Sequence, residues 1–100
     1  MRESQVEAYL VERVEATGGF IRKLVYVGRR SCPDRLVGWP RNPERKYTQP
    51  ARHVLVETKR PKGKARADQE REHERLRAIG FRVEVLDTIE KVDAFIESMT

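Results

Sequence analysis

The sequence has few of the features that mark secreted, membrane-embedded or multidomain proteins. Its single cysteine, Cys32, excludes an internal disulfide and a cysteine-based zinc site, so a reducing interior such as the cytoplasm is predicted. No apolar run approaches the ~20 residues of a membrane span, and the N-terminus lacks the apolar stretch of a signal peptide. Its 100 residues predict one domain over 1–100 with one modest core.

The positive charge is concentrated in the middle of the chain. Residues 22–66 hold fourteen Lys or Arg and three Asp or Glu, a balance of +11, whereas the remainder has a balance of −6. A block this basic favours a polyanionic partner, although a simply solvated surface is the alternative. Membrane phosphates are disfavoured, because the block is too rich in Gly and Pro for an amphipathic surface helix.

Apolar spacing predicts seven elements in the order α-β-β-β-α-β-α. Helices are predicted at 4–17, 66–79 and 89–99, and strands at 20–27, 34–39, 53–57 and 81–86. Leu76 and Ile79 are the predicted core residues of the second helix. This order predicts an α/β fold in which helices flank a small mixed sheet.

The most apolar strand and the most proline-rich segment of the chain indicate their places in the fold. The strand at 53–57 contains three consecutive apolar residues, so it is expected to be central and covered on both faces. Residues 40–51 carry three prolines and several charges, and they predict a surface loop.

Three acids stand within the basic block, and two of them indicate chemistry. Glu44 falls in the predicted loop, whereas Asp34 and Glu57 fall in or beside strands, and Glu57 follows the most apolar triplet of the chain. A carboxylate near a core is costly unless a cation or hydrogen bonds compensate it. The two acids are therefore either ion-paired or hold a divalent cation such as Mg²⁺, which prefers oxygen ligands.

The spacing of Glu57 and Lys59 places both side chains on one side of a strand. A carboxylate there can bind a metal, while the ammonium can orient a water or stabilise charge on a phosphate. On its own this spacing more often reflects a surface ion pair, and the Pro33-Asp34 pair upstream and Gln69 downstream add weight to a site. Gln69 and His73 lie where the next helix should present Leu or Ile, so they either satisfy buried partners or line a site.

Together these residues resemble the PD-(D/E)xK nuclease superfamily, most closely its VRR-NUC branch in the stand-alone phage or bacterial form. The matching segments are an early helix Glu, G-R-R-S-C-P-D at 28–34, E-T-K-R-P-K-G at 57–63, and the helix with Gln69 and His73. The resemblance extends to about residue 87. Members often have Gly where Ser31 stands, and the insertion at 40–51 is longer than usual.

The resemblance implies a fold and an activity. The fold would be a single restriction-endonuclease-like domain with an α-β-β-β-α-β core and a C-terminal helix. The activity would be Mg²⁺-dependent cleavage of DNA phosphodiesters, with Mn²⁺ able to substitute. Stand-alone members resemble Holliday-junction resolvases that act as homodimers on branched DNA, with no membrane partner and no small-molecule cofactor. A bacterial or phage-infected cytoplasm is the expected location.

The resemblance also assigns roles to individual residues. Asp34, Glu57 and the Thr58 backbone carbonyl would be metal ligands, Lys59 would contact the attacking water or the phosphate, and Gln69 would support the site. The acid of the first helix is Glu7, by its distance to the helix end, with Glu3 as the alternative. The residues expected to grip the DNA backbone are Arg29, Arg30, Arg35, Arg60, Lys62, Lys64 and Arg66.

Two other functions remain open from the sequence. One is a nuclease or nickase acting on duplex or other branched DNA. The other is a non-catalytic nucleic-acid-binding domain, which the combination of Asp34, Glu57, Lys59 and Gln69 disfavours because a binder has no use for acids facing phosphate.

Overall fold

The computed structural model describes residues 1–40 and 52–100, so positions 41–51 of the predicted loop, Glu44 included, lie outside the described residues. The predicted order of elements is confirmed. Its members are α1 (Glu3–Ala16), β1 (Phe20–Lys23), β2 (Arg35–Gly38), β3 (His53–Thr58), α2 (Ala67–Ala78), β4 (Val83–Leu86) and α3 (Ile89–Met99). Within the described ranges no helix is both long and apolar enough to cross a membrane.

The four strands form one mixed sheet in the order β1-β2-β3-β4. The first two pairings are antiparallel, and β3 pairs with β4 in parallel because α2 carries the chain back between them. The central position predicted for β3 is confirmed. Val54 and Val56 are buried on one face of the sheet, and alternation turns Leu55 and Glu57, also buried, to the other.

Helices α1 and α3 cover the face that carries Val54 and Val56. The spacing-four stripe of α1, Val6, Leu10 and Val14, is fully buried in this core. The stripe of α3 packs beside it and consists of Val92, Phe95, Ile96 and Met99. This apolar layer is the larger part of the core and fixes α1 against the sheet.

The turn between α1 and β1 requires a glycine at position 19. A Cβ atom there would lie 2.6 Å from Val14 Cγ1 and 2.8 Å from Trp39 Nε1, closer than packed atoms approach. The close approach lets Trp39 Nε1 donate a hydrogen bond to Thr17 Oγ1 at 2.9 Å and lets the Trp39 ring pack on Phe95. The end of α1 is thereby joined to both β2 and α3.

Helix α2 packs on the opposite face, and its buried side is polar. Gln69, Glu72 and His73 are its buried residues, while Leu76 is half-buried. The prediction that Ile79 belongs to the core is wrong, since its side chain is 73% exposed. The helix ends at Ala78, so Ile79 lies beyond the last turn and points away from the sheet.

Two predicted strands are too long. The strand at 20–27 ends at Lys23: one more bond in register, from the Leu24 N–H to the Asp34 carbonyl at 2.9 Å, follows before the chain leaves the sheet. Val27 is fully exposed as a result. The strand predicted from Phe81 begins only at Val83, where pairing with β3 starts.

Candidate active site

The predicted carboxylates meet where β2 begins and β3 ends. Arg35 pairs with Val56 in the antiparallel ladder, so the next residues outward, Asp34 and Glu57, lie opposite each other. Asp34 Oδ2 accepts hydrogen bonds from the Thr58 backbone N–H at 2.9 Å and from the Thr58 hydroxyl at 3.1 Å. Local strand geometry therefore brings together two acids that are 23 residues apart in the sequence.

Glu57 is almost completely buried, and its carboxylate accepts a hydrogen bond from a side chain of α2. Gln69 Nε2 donates to Glu57 Oε1 at 3.1 Å. Gln69 Oε1 in turn accepts from the Arg66 backbone N–H at 3.0 Å, so the amide has its acceptor turned to the helix start and its donor turned to Glu57. Gln69 thus stands where the sequence predicted, and it links the first turn of α2 to the carboxylate.

His73 approaches the same carboxylate one turn further along α2. Its Nε2 lies 3.8 Å from Glu57 Oε1 and has no hydrogen-bond partner in the described part of the chain. Burial lowers the pKa of His73, so the imidazole is neutral near pH 7. The sequence left open whether His73 satisfies a buried partner or lines a site, and the structure places it beside the Glu57 carboxylate.

The environment of Glu57 favours its protonated form when no cation is bound. Burial, followed by the hydrogen bond to Asp34 and the charge of Asp34, raises its pKa to about 9. The Lys59 ammonium opposes this effect and the Glu3 carboxylate adds to it. A divalent cation between Asp34 and Glu57 would reverse the balance, because it stabilises two ionised carboxylates at once.

The donor set fits a hard cation that keeps much of its water. Among residues 1–40 and 52–100, no group of three or more His, Cys, Asp and Glu side chains is arranged to hold a metal ion. The available donors are the Asp34 and Glu57 oxygens and the Thr58 backbone carbonyl. Two carboxylates completed by backbone and water are typical of Mg²⁺ rather than of Zn²⁺.

The two candidate acids of α1 have different surroundings. Glu7 forms an ion pair with Arg35, whose Nε donates to Glu7 Oε1 at 2.9 Å. Glu3 is exposed one turn earlier, and its charge raises the pKa of Glu57. The charge of Glu3 therefore acts on the Glu57 carboxylate. The charge of Glu7 is balanced by Arg35, one of the residues predicted to bind DNA.

The basic segment after β3 begins beside the carboxylates. Lys59 is half-buried, whereas Arg60, Lys62, Lys64 and Arg66 are exposed. Lys62 adopts a left-handed backbone with φ 62°, and the turn closes through Gly63 N–H donating to the Arg60 carbonyl at 2.8 Å. The segment is therefore a compact turn that directly follows Lys59 and exposes four cations to solvent.

Two contacts tie the loop before Asp34 to α2, and sequence patterns missed both. The Tyr26 hydroxyl donates to Glu72 at 2.7 Å, and the Ser31 hydroxyl donates to Asp68 at 2.7 Å. Burial and the Glu72 bond raise the pKa of Tyr26 to about 12, so it stays a donor. Each pair spans more than thirty residues, and no periodicity connects such positions.

The raised pKa of Glu57 predicts a pH-dependent stability of the metal-free protein. The folded chain holds this proton up to about pH 9 and the unfolded chain only to about 4.5. The stabilisation is complete below about pH 4.5 and is lost as the pH rises towards 9. Glu57→Gln mimics the protonated form at every pH, so it should not lose this stabilisation. In EDTA, the Tm of the variant minus the Tm of the parent should therefore increase by at least about 5 °C between about pH 5 and pH 8.

Thermal unfolding in EDTA across this pH range measures the effect. Glu97→Gln is the control, because it makes the same side-chain change at an exposed position on α3. A difference between Glu57→Gln and the parent that stays constant with pH would show that Glu57 is ionised in the folded chain.

Comparisons with known proteins point to one family. The chain is 39% identical to a solved "VRR_NUC domain", covering 98% of this chain and 97% of that chain with a TM-score of 0.82. It is 41% identical over 88 residues to the protein named "Putative nuclease p44" of Acyrthosiphon pisum secondary endosymbiont phage 1, covering 88% of this chain and 85% of that protein. No family model matches the chain.

Proposed function

The chain belongs to the VRR-NUC family, and from this premise we propose that it is a divalent-metal-dependent endonuclease acting on DNA. The observation that carries the proposal is the buried Glu57 carboxylate facing Asp34 beside Lys59 at the end of β3. Two carboxylates side by side at the edge of the core cost stability through desolvation and mutual repulsion, and a bound cation facing a phosphate would offset that cost.

The residues present fit Mg²⁺, with Mn²⁺ as a substitute. Asp34, Glu57 and the Thr58 carbonyl would hold the ion. When bound, it lowers the pKa of a coordinated water and neutralises charge on the phosphate. The Thr58 backbone N–H and hydroxyl orient Asp34, and the Gln69 amide orients Glu57. The Lys59 ammonium stabilises the charge that develops on the phosphate oxygens.

The substrate we propose is branched DNA, cut by a homodimer. One protomer carries one such site, whereas a four-way junction requires two symmetric cuts, which a twofold dimer supplies. Backbone contacts carry no sequence information, so the exposed cations suit recognition of shape. The cytoplasm of a bacterial or phage-infected cell is the proposed location. The cations that would contact DNA are Arg29, Arg30, Arg60, Lys62, Lys64 and Arg66, together with Arg35 if DNA displaces Glu7.

A cleavage assay separates the possible activities. Labelled four-way junctions, flaps, linear duplexes and single strands are incubated with the protein in Mg²⁺, in Mn²⁺ and in EDTA, and its mass in solution is measured by light scattering. We expect paired cuts in the junction with either metal, no cuts in EDTA, and a dimer. Preferential nicking of linear duplex would replace the junction proposal, and binding without cleavage of any substrate would leave a nucleic-acid-binding domain.

A further inference from the structure

A second basic site lies between the 28–31 loop and the outer side of α2. This arginine pocket has a volume of about 480 Å³ and is lined by Arg29 and Arg30 from the loop and by Arg71 and Arg75 from the helix. Arg71 and Arg75 are one turn apart and lie across α2 from Gln69 and His73. The pocket is therefore separate from the carboxylate site, on the other side of the same helix.

The charge of the pocket is positive in spite of the acids nearby. Its one acidic lining residue, Asp68, accepts hydrogen bonds from Ser31 and Arg66, and Glu72 pairs with Arg75. Within residues 1–40 and 52–100, no hydrogen bond or ion pair engages the guanidinium groups of Arg29, Arg30 or Arg71. Three cations that line one pocket and have no partner among the described residues form a site for an anion, and planar guanidinium groups match phosphate oxygens.

The walls of the pocket are held in place. Ser31 has a left-handed backbone with φ 71°, and its hydroxyl is fixed to Asp68 of α2 at 2.7 Å. The Tyr26–Glu72 hydrogen bond fixes the start of the same loop to the same helix. The loop arginines and the helix arginines are thus set at a constant separation, which gives the pocket the rigidity of a binding site.

The pocket is close to the carboxylates along the chain. Ser31 precedes Asp34 by three residues, so their Cα atoms are at most roughly 11 Å apart. Successive phosphates of one strand advance by about 3.4 Å along a duplex. A strand whose scissile phosphate lies at Asp34 and Glu57 therefore passes the pocket within a few nucleotides.

We propose that the arginine pocket binds a backbone phosphate of the DNA substrate near the scissile phosphate, with Arg71 and Arg75 as DNA contacts from α2. The proposal rests on the proposed function and extends it, since α2 then contacts the substrate on one side and orients Glu57 on the other. The phosphate in the pocket fixes where along the strand the cut falls.

Binding in EDTA tests the pocket independently of cleavage. Arg71→Gln removes a cation that has no partner in the described residues, so the fold should not change. We expect weaker binding to a labelled four-way junction and a log–log salt dependence less steep by about 0.9. Arg13→Gln is the charge control, because it removes one cation from α1 on the opposite face of the sheet. Arg13 pairs with Asp93 at 3.5 Å, so the Tm of this variant is measured as well.

Neutral methylphosphonates placed one at a time around the cut position identify the phosphate. At one position within a few nucleotides of the cut, the substitution should weaken binding by the parent more than binding by Arg71→Gln, because the variant has already lost one of the cations that hold this phosphate. Equal losses for both proteins at every position, or an Arg13→Gln salt slope as shallow as that of Arg71→Gln, would overturn the assignment. If the parent cleaves and Arg71→Gln binds normally, only the pocket assignment is wrong. A parent that cleaves no DNA contradicts the proposed function instead.

Discussion

Asp34→Asn and Glu57→Gln are expected to abolish cleavage while the protein still folds and binds DNA. Each variant removes one of the two carboxylates that would hold the metal, and loss of a stabilisation of several kcal/mol slows the reaction by more than about a thousandfold. Asn can still accept from the Thr58 N–H, and Gln can still accept from the Gln69 amide. Asp34→Asn also removes negative charge that faces phosphate, so its DNA affinity in EDTA should be unchanged or higher. Glu57→Gln matches the protonated Glu57 of the metal-free protein, so its DNA affinity in EDTA should be unchanged.

Single-turnover cleavage in Mg²⁺ and binding in EDTA measure the two halves of this prediction. The control is Glu97→Gln, which makes the same chemical change on the exposed side of α3 and should cleave like the parent. Cleavage at the parent rate by either site variant, in protein freed of contaminating nuclease, would place the chemistry elsewhere. Loss of binding together with cleavage would give Asp34 and Glu57 a role in building the DNA surface.

Lys59→Ala should slow cleavage by about a hundredfold or more, the size of effect seen when one donor to a developing oxyanion is removed. Lys59 directly follows β3, is half-buried, and its charge already acts on Glu57. It contributes no packing to the apolar core, so Tm should change little. Lys59→Arg keeps the charge, and partial recovery of the rate there would show that the cation itself is required.

Gln69→Ala provides the comparison, because Gln69 acts through Glu57 and not on the substrate. Loss of such a supporting hydrogen bond typically costs about tenfold to a hundredfold, so its effect should be the smaller of the two. It should also raise the Mg²⁺ concentration needed for half-maximal rate, which Lys59→Ala should not do. Parent rates in both variants would contradict both assignments, and unfolding of both would make them buried structural groups.

The sequence predicts which polar residues meet at the ends of β2 and β3, because strand geometry is local. An apolar triplet followed by Glu57 identifies a buried strand end, and alternation puts Lys59 on the same side. Gln69 could be predicted because an amide on the buried side of a helix needs a polar partner. Each prediction depends on a short-range pattern, the alternation of side chains along a strand or their spacing on a helix, which backbone geometry fixes.

The contacts that the sequence does not predict join distant segments. Nothing local shows that Arg35 would pair with Glu7, or that Tyr26 would reach Glu72. The error at Ile79 has a similar origin. Spacing alone extends the apolar stripe to Ile79, whereas α2 ends at Ala78. The sheet face beneath α2 carries the polar Glu57 site, so it offers little apolar surface for the helix to cover.

The way α2 is attached has a consequence for how the molecule opens. The helix is held by Gln69 to Glu57, by Glu72 to Tyr26 and by Asp68 to Ser31, while its apolar contribution is a half-buried Leu76. Polar contacts near a surface are weaker than the burial that fixes α1 and α3, so detaching α2 costs less free energy than global unfolding. Among the three described helices, α2 is therefore the one expected to detach first: its bonds fix the site and the arginine pocket in the folded state, and heat or denaturant should break them before the α1–α3 layer unfolds.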